Sequence, residues 1–390
     1  MQYRIIEVKD KKAKKEFLLF QVKLYKKDKS YIRPLNNEVE KVFNPKQNKL
    51  FRQGECIRWI LADETGKTIG RVAAFVDRKS AEKNDQPTGG MGFFDCINNN
   101  EAAFALFDAC REWLKNKSME AMDGPINFGE RDRWWGCLAE GFSFPNYCNN
   151  YNFPYYKDLF EAYGFQDYFR QITYHTPIKN DRMNPVIREK AMRLATNPDY
   201  TFKHVEKGNS DNYTKDFSII YNKAWAKFPG VKALSEVQVK VMFKSMKPIM
   251  DEKLLWFGYY KNEPIACFLM IPEINEIVKH LNGNFNILGK LKFMYYKWRG
   301  VCFKSFGIVF GVVPEQHRKG VEGALIIAYA KVAQARDFPY EELEMNWIGD
   351  FNPAMMHLVE EVGGRPAKIH ITFRYLFDRT KEFKRCEKVS

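Results

Sequence analysis

The chain has 390 residues, enough for two or three domains of ordinary size. Hydrophobic residues make up 45% of it, so a large core can form and a globally disordered chain is excluded. The formal net charge of +14 favours an anionic partner such as a phosphorylated cofactor, and it also fits a solvated basic surface.

The eight cysteines are scattered and form no CxxC pair, which is typical of free thiols in a reducing compartment. The six histidines form neither HxxxH nor HExxH, so we expect no metal site. The start, MQYRIIEVKDKK, lacks the apolar run of a signal peptide, and no apolar segment is long enough to span a bilayer. We therefore expect a cytoplasmic protein without a membrane partner.

In chain order, the first half alternates between strand and helix patterns. YRIIEV predicts a strand, and the following KKAKKEFLLFQVKLYKKD has helical spacing of its apolar residues. Two apolar runs around Thr65 and Gly66 predict a hairpin, and MGFFDCI predicts another strand. EAAFALFDACREWLK predicts an amphipathic helix, and MEAMDGPINF, FPYYKDLFEAYG and FRQITYHTPI predict a strand, a helix and a strand.

The same order recurs in the second half. A strand at YTFKHVE precedes helices at NYTKDFSIIYNKAW and SEVQVKVMFKSM, and KLLWFGYY and EPIACFLMIPE predict a strand pair. FKSFGIVFGVV predicts a strand that leads into the helix GVEGALIIAYAKVAQA. The strand EELEMNW, the helix NPAMMHLVEEVGG and the strand AKIHITFRYLF complete the series. This recurrence predicts an internal duplication, with a linker that carries one helix between the halves.

One local match supports the duplication. Asn152 would open a helix that ends at Gly164, and Asn352 would open one that ends at Gly364, with a separation of 12 residues in each case. Asparagine is a common N-cap and glycine a common helix stop, so two unrelated helices would also fit. The shared order of six or more elements favours duplication.

The stretch VPEQHRKGVEGAL, residues 313–325, runs from a strand through a proline, a basic triplet and a glycine into a helix. With the mixed element order, it resembles the cofactor motif of the GNAT acyltransferase superfamily, Q/R-x-x-G-x-G/A. His317 stands at the Q/R position and Gly320 at the first glycine, while Glu322 replaces the second Gly/Ala. Two halves of which only the second carries the motif resemble N-myristoyltransferases and Fem-type aminoacyltransferases.

The resemblance implies an α/β (α+β) fold of two tandem GNAT-like domains, each a mixed, mostly antiparallel sheet flanked by helices. We predict a domain with a degenerate cofactor motif at residues 1–178 and a linker with a helix at 179–199. The domain with the acyl-CoA motif would follow at residues 200–390.

The resemblance also implies that the helix start after His317 binds the pyrophosphate of acetyl-CoA or of another acyl-CoA, the acyl donor. A helix N-terminus suits this role because it presents unpaired N–H groups and a partial positive charge. A backbone N–H near Val312 or Val313 would polarise the thioester carbonyl. The predicted cofactor-binding residues are Val312, Val313, His317, Arg318, Lys319, Gly320, Val321, Gly323, Ala324 and Asn352.

The catalytic residues do not follow from the family. Many members carry a tyrosine four residues before the glycine that ends the late helix, where this chain has Phe160 and Glu360. In EELEMNW, polar residues alternate with apolar ones, so a central strand would turn its polar face toward water. We predict Glu344, as the base, and Asn346 as catalytic residues. A half-exposed edge strand would show the same alternation.

The loop DGPINFGERDRWWG, residues 123–136, concentrates polar and aromatic residues where the first half would face a cleft. A connecting loop that fills the domain interface would have a similar composition. The predicted substrate-binding residues are Asp123, Asn127, Glu130, Arg131, Trp135, Tyr151 and Tyr155.

Three functions fit these patterns. The first is an acyl-CoA-dependent N-acyltransferase, in particular an N-acetyltransferase, whose acceptor is a small-molecule amine or an amino acid. The second is a Fem-like transferase with an aminoacyl-tRNA donor, which the positive charge fits. The third is a catalytically inactive GNAT-like binding protein, which Glu322 and the absent tyrosine fit. Other nucleic-acid partners are disfavoured because the N-terminal lysine runs lack interleaved aromatic residues.

Overall fold

The computed structural model describes residues 3–83, 86–179, 182–206, 208–225 and 233–388. Residues 180 and 181 of the predicted linker, and short pieces of both predicted domains, lie outside the described residues.

The first half contains seven strands and five helices among its described residues. In chain order they are β1 (Arg4–Glu7), α1 (Lys11–Leu24), α2 (Asn36–Val42), β2 (Gly54–Ala62), β3 (Thr68–Asp77), α3 (Arg78–Ala81), β4 (Thr88–Cys96), α4 (Asn100–Lys115), β5 (Ala121–Gly124), β6 (Cys137–Glu140), α5 (Tyr155–Tyr163) and β7 (Gln166–Pro177).

A single helix, α6 (Pro185–Ala195), connects the halves. The described elements of the second half are β8 (Tyr200–His204), α7 (Ser210–Trp225), α8 (Glu236–Met246), β9 (Leu255–Tyr260), β10 (Glu263–Pro272), α9 (Asn275–Val278), α10 (Ile287–Trp298), β11 (Lys304–Val312), α11 (Val321–Ala333), β12 (Glu342–Met345), β13 (Ile348–Gly349), α12 (Pro353–Glu361) and β14 (Arg365–Leu376).

Local sequence explains many of these elements. α4 begins after Asn99, whose side chain accepts a hydrogen bond from the N–H of Ala102 at 2.8 Å, and its apolar residues recur on one buried face. The hairpin between β2 and β3 turns at Gly66, where φ is 80°. The carboxylate of Asp63 accepts the N–H groups of Thr65 and Lys67 there, so side chain and backbone stabilise the same turn.

The predicted helix start at Asn152 is wrong. α5 begins at Tyr155, and the Asn152 amide instead accepts the N–H of Leu138 at 2.7 Å and donates to the Leu138 carbonyl at 2.9 Å. This side chain therefore holds β6 in place, a long-range use that its local sequence does not reveal. The sequence analysis also missed β6, α9 and α10.

All described strands join in one sheet. Its order is β1-β2-β3-β4-β5-β14-β7-β12-β11-β10-β9-β8, with β6 beside β14 and β13 beside β7. Most neighbours are antiparallel, whereas β4 with β5 and β11 with β12 form parallel pairs at corresponding places in the two halves. The predicted α/β fold class with a mixed, mostly antiparallel sheet flanked by helices is confirmed, although the sheets of the two halves join into one.

The halves exchange their last strands. β14 of the second half lies between β5 and β7, and β7 of the first half lies between β14 and β12. β7 and β14 pair over most of their length, with Ile172 opposite Ile369 near the middle. Each half thus completes the sheet of the other, while the domain boundaries near residues 178 and 200 stay a prediction.

Helices cover both faces of the second half. On one face, α7 and α8 pack with Phe257 and Leu269 of the sheet. On the other face, α11 packs with Phe268 and Val312. Helices thus cover the sheet on both sides of the parallel pair β11 and β12. The site described below lies where these two strands separate.

Buried charges link the exchanged strand to the parallel pair. Glu344 on β12 contacts Lys304 of β11 and Lys368 of β14, with oxygen–nitrogen distances of 2.5 Å in both pairs. Burial alone would raise the pKa of Glu344, but the ammonium groups of Lys368 and Lys304 outweigh it and lower the pKa to about 2. Glu344 is therefore ionised, and its carboxylate joins three strands.

Glu273, directly after β10, is a second buried carboxyl group. Its Oε1 accepts the N–H groups of Tyr147 and Asn275, both at 2.9 Å, while its Oε2 has no partner among the described residues. Burial raises the pKa of Glu273 to about 8; the N–H of Asn275 opposes this shift and the charge of Glu344 adds to it. Glu273 is therefore largely protonated near neutral pH.

We expect Glu273→Gln to change how stability depends on pH. The pKa of Glu273 is raised on folding, so its contribution is fully present below the ordinary value of 4.5 and is lost as pH rises through about 8. Glutamine carries no such proton. Urea unfolding at about pH 5 and about pH 8.5 should therefore show the variant gaining stability relative to wild type at the higher pH.

The exposed Glu82→Gln is the matched control, and its difference from wild type should not vary over this range. If Glu273→Gln keeps the pH profile of the wild type, the assignment of a protonated Glu273 is wrong.

Candidate functional site

The site begins where β11 and β12 separate. Their pairing ends at Gly307 opposite Met345. The N–H of Asn346 then donates to the carbonyl of Gly307 at 2.7 Å, and the chain leaves for β13, which pairs with β7. β11 stays with β10, so the sheet opens beyond this point.

A β-bulge coincides with the separation. Leu269 of β10 pairs with Val309 and Met270 pairs with Gly307, which leaves Ile308 as the extra residue of β11. A bulge bends its strand and redirects the backbone. From Ile308 onward, the side of β11 that faced β12 pairs with no described strand, and we call it the open edge.

One backbone N–H on the open edge is suited to bind a ligand. The N–H of Val313 donates to the carbonyl of Ile265 in the direction of β10, at 2.9 Å. Because successive residues of a strand point their N–H groups to opposite sides, the N–H of Val312 faces the open edge. The carbonyl of Val312 is bonded to Nε2 of His317 at 2.9 Å. Of the two predicted donors, Val312 is thus the better placed.

A cavity of about 820 Å³ lies between α11 and α12 on one face of the open sheet, with α6 as a further wall. We call it the apolar cavity. Its volume is in the range of ordinary ligand sites. Lys179, Arg188 and Lys331 are basic lining residues. Strands and helices of the second half supply its apolar lining, which includes Phe268, Phe310, Leu343, Met345, Met355, Leu358, Val359 and Val362.

A smaller cleft of about 240 Å³ lies on the α7 side of the sheet. Tyr221 and Trp225 of α7 line it together with Asn346 and Trp347. It adjoins the apolar cavity through the gap between the strands, since the two share four lining residues: Phe268, Phe310, Met345 and Met355. The site can therefore hold a ligand that passes through the sheet.

The corresponding place in the first half is filled. Cys96 is the last residue of β4, as Val312 is the last residue of β11. In each half the following residue, Ile97 or Val313, donates its N–H to the strand that comes before in the chain. Here, however, the N–H of Cys96 donates to the hydroxyl of Tyr156 at 3.1 Å, and its carbonyl accepts from Tyr155 at 2.7 Å. A cavity lined by Tyr156, Phe94 and Asp95 measures only about 20 Å³.

The two late helices explain this difference. The left-handed glycines that follow them, Gly164 with φ 103° and Gly363 with φ 101°, put α5 and α12 in register. The rings of Phe160 and Tyr163 pack on Phe107 of α4 with centroid distances of 4.9 and 5.0 Å. Three aromatic residues of α5 correspond to smaller apolar residues of α12 and its C-cap: Tyr156 to Met355, Phe160 to Val359 and Tyr163 to Val362.

This register differs by one residue from the predicted alignment on Gly364. The position compared with the family tyrosine is therefore Val359 rather than Glu360. The carboxylate of Glu360 accepts a hydrogen bond from the hydroxyl of Tyr174, at 3.1 Å. Tyr174 belongs to the exchanged strand β7, so a tyrosine does reach this helix, although from the other half.

The predicted phosphate site lies at the start of α11. Gly320 precedes the helix with φ 93°, and no described side chain caps it, whereas Asn99 caps α4. Arg318 and Lys319 are exposed and form no ion pair with described residues, so their charges remain available to an anion. Val321 and Ala324 are buried in the first turns of the helix.

The glycines of the motif also serve packing. A Cβ on Gly320 would lie 3.3 Å from the Cβ of Lys190, and one on Gly323 would lie 3.0 Å from Cγ2 of Ile187, both on α6. α6 therefore approaches the start of α11 closely. Asn352, the last predicted cofactor residue, caps α12 by accepting the N–H of Met355 at 3.2 Å.

Of the predicted catalytic pair, Asn346 lines the small cleft, and its Oδ1 accepts the N–H of Trp347 at 2.9 Å. Glu344 does not line the apolar cavity or the small cleft and is bound by two lysines, as described above.

The predicted substrate residues lie in several places. Arg131 reaches the second half, because its carbonyl accepts from Nε1 of Trp347 at 3.2 Å and its guanidinium lies 5.7 Å from the ring centroid of Trp135. Asp123 forms a bidentate ion pair with Arg374. The contacts of the others stay within the first half. Asn127 donates to the carbonyl of Glu130, and the carboxylate of Glu130 lies near Arg133. The hydroxyl of Tyr151 donates to Asp28, and that of Tyr155 donates to the carbonyl of Cys96.

Apart from Asn346, the residues that line the apolar cavity and the small cleft were not predicted from the sequence. Met355, Val359 and Val362 looked like ordinary helix residues. Alignment of α12 with α5 would have revealed these three residues. That alignment requires Gly363, and not Gly364, to be matched with Gly164. Trp347 was noted only as part of a strand.

No family model matches the chain. It is 26% identical over 376 residues to the bacterial ceramide synthase of Caulobacter vibrioides, and the match covers 94% of this chain and 95% of that protein. It is 25% identical over 371 residues to Protein YghO of Escherichia coli, covering 91% and 90%.

Solved structures share the architecture. A tandem GNAT protein from the clavulanic acid biosynthesis pathway superposes with a TM-score of 0.54 at 9% identity, covering 97% of this chain and all of that one. This chain has a tandem GNAT-like fold. A fungal multi-domain β-N-acetylglucosaminidase with a glucosamine N-acetyltransferase region also gives 0.54 at 10% identity, although the match covers only 38% of that protein. The predicted resemblance to tandem GNAT-like proteins is confirmed.

We expect Tyr156→Phe to destabilise the protein by about 1–3 kcal/mol, because the buried N–H of Cys96 would lose its acceptor. The matched control is Met355→Leu at the corresponding position of α12, where a volume-conserving change should cost less than about 1.5 kcal/mol. Urea unfolding followed by circular dichroism measures both. A Tyr156→Phe variant as stable as the control would contradict the proposed filling of the first half.

Proposed function

We propose that the protein is a GNAT-type acyltransferase that moves an acyl group from an acyl-CoA to an amine, with the reaction in the second half. The observation that carries this proposal is the open edge at Val312 beside the apolar cavity. The same place is filled by Tyr156 in the first half, so the two halves differ where an acyl donor would bind.

The start of α11 fits the phosphate groups of the donor. Its backbone N–H groups have no capping side chain among the described residues, and Arg318 and Lys319 add exposed positive charge. Glu322 in the first helical turn opposes an anion, and Lys190 of α6 lies beside Gly320. We therefore expect the exposed pair, more than the glycines, to govern donor affinity.

The apolar cavity supports a donor with a long acyl chain rather than an acetyl group. Its wall is mainly apolar over about 820 Å³, and an acetyl group would leave most of that apolar surface unburied. We therefore propose a fatty acyl-CoA as the donor. This refines the expectation of acetyl-CoA or another acyl-CoA toward the longer chains.

For the acceptor we propose the amine of a long-chain amino alcohol. The relative at 26% identity over nearly the whole chain is named a ceramide synthase, and a ceramide is the N-acyl product of such an amine. The small cleft would hold the amine end, with Asn346 and Trp347 beside it.

The proposed step is a direct transfer. The neutral amine nitrogen attacks the thioester carbonyl, a C–N bond forms, the C–S bond breaks, and the thiolate leaves and takes up a proton. The N–H of Val312 would stabilise the developing negative charge on the carbonyl oxygen. Asn346 would orient the amine, since an amide accepts a hydrogen bond but not a proton.

Glu344 stays the predicted base, but its ion pairs with Lys304 and Lys368 make it a weak one. Because Glu344 does not line the small cleft, water that enters the cleft would carry the amine proton to the solvent.

The first test measures free thiol release and the amide product with acetyl-CoA, octanoyl-CoA and palmitoyl-CoA, each with a long-chain 2-amino-1,3-diol. We expect turnover to require the long-chain donor. The double variant Met355→Tyr, Val359→Phe copies the first half into the cavity and should lower kcat/KM for palmitoyl-CoA by about 100-fold or more through steric exclusion.

The reciprocal variant, Tyr156→Met, alters the first half and should leave the folded enzyme active. No thiol release with any donor would defeat the proposed activity. Equal rates for acetyl-CoA and palmitoyl-CoA would instead defeat only the proposed chain length.

The second test concerns donor binding. Arg318→Glu with Lys319→Glu should weaken CoA binding by about tenfold or more in calorimetric titration, because two attractive charges become repulsive. Lys14→Glu with Lys15→Glu on α1 makes the same change in net charge on another exposed surface and should have little effect. Unchanged CoA affinity in the first variant would remove the α11 start from the proposed site.

A further inference from the structure

α10 carries an apolar face that the protein does not cover. Six large apolar residues of this helix have exposed fractions between 49% and 80%: Ile287, Leu288, Leu291, Met294, Tyr295 and Trp298. They are half of the large hydrophobic residues that are exposed among the described part of the chain. Such a concentration on one short helix marks an interaction surface.

The exposed residues form one continuous stripe. At 3.6 residues per turn, they spread over about 120° of the helix, and Ile287, Leu291 and Trp298 lie between Met294 at one border and Leu288 at the other. The opposite side holds the helix on the protein, where Phe293 is buried and Tyr296 stacks on His280 with ring centroids 4.1 Å apart. α10 is thus anchored on one side and apolar on the other.

Basic residues flank the stripe on both sides. By the same helical geometry, Lys290 and Lys297 lie along one border and Lys292 along the other, and Arg299 follows the helix. No aspartate or glutamate occurs between Glu276 and Glu315. The surface therefore combines an apolar strip with positive charges that no acidic residue of this segment balances.

We propose that α10 docks on the surface of a membrane that contains anionic lipids, with its axis in the plane of the bilayer. An apolar stripe bordered by lysines, with a tryptophan and a tyrosine at its end, matches the headgroup boundary of such a membrane. A protein partner would need an acidic rim around an apolar groove, and a second copy of this basic chain would bring like charges together. Charge complementarity therefore selects the anionic lipid surface.

This mode does not require a membrane span. Among the described residues, no helix is long and apolar enough to cross a bilayer. The sequence analysis expected no membrane partner on the same ground, and the exposed stripe of α10 is the observation that leads us to propose otherwise. The proposal rests on α10 alone and is independent of the acyl transfer proposed above.

The test is co-sedimentation of the full chain with sucrose-loaded vesicles. One set contains phosphatidylcholine alone, and the other contains about 30% phosphatidylglycerol. We expect at least about tenfold stronger partitioning onto the anionic vesicles, decreasing with added salt. Leu291→Glu with Trp298→Glu should reduce this partitioning by about tenfold or more, because the stripe would carry two charges.

Two variants serve as comparisons. Phe144→Glu with Val186→Glu places the same charges at exposed apolar residues elsewhere and should leave partitioning unchanged. Lys290→Glu with Lys292→Glu keeps the stripe but should abolish the preference for anionic vesicles. Thermal unfolding by circular dichroism verifies that each variant is folded.

Two outcomes would overturn the proposal. One is equal, weak partitioning onto both vesicle types. The other is unchanged partitioning of the folded Leu291→Glu, Trp298→Glu variant. If sedimentation velocity shows a dimer that this variant loses, and vesicles do not bind, then a second copy covers the stripe and the membrane proposal is wrong.

Discussion

The separation of β11 from β12 beyond Gly307 is the constraint on which the proposed site depends. The chain after Met345 leaves β11 because β13 pairs with β7, a strand that belongs to the first half. β11 remains bound to β10 and acquires its bulge at Ile308. The open edge therefore arises because the chain after Met345 keeps its pairing with the exchanged strand β7 and loses its pairing with β11.

The two halves show how one framework serves two purposes. Both have a bulged strand, a parallel neighbour and a late helix, but the late helices differ in side-chain volume. The rings of Tyr156 and Phe160 fill the gap in the first half, and an aromatic ring buries a large apolar area. Met355 and Val359 leave that gap open in the second half. The first half is packed where the second half retains a cavity. The two halves therefore differ in core packing as well as in the cofactor motif.

Periodicity in the sequence was sufficient to predict most strands and helices, and the stretch around Gly320 indicated the GNAT-like fold. It could not reveal the strand exchange, because β7 has the same alternating pattern whichever half it joins. Nor could it show that Glu344 would meet Lys368, more than twenty residues away and across an intervening strand. α10 escaped notice because part of its apolar pattern points outward, where no periodicity argument expects it. Local signals thus predicted the elements, while pairing and exposure required the coordinates.

The strand exchange also gives the first half a structural role, although its own site is filled. The first half supplies β7, which draws β13 away from β11, and Arg131, whose carbonyl holds Trp347 beside the small cleft. The backbone of Tyr147 satisfies one oxygen of the buried Glu273 in the second half. Removing the first half would leave these groups unpaired and would free the chain after Met345 to continue its pairing with β11. The first half therefore contributes to the proposed site by keeping the second half open. It can do so without a cofactor motif of its own.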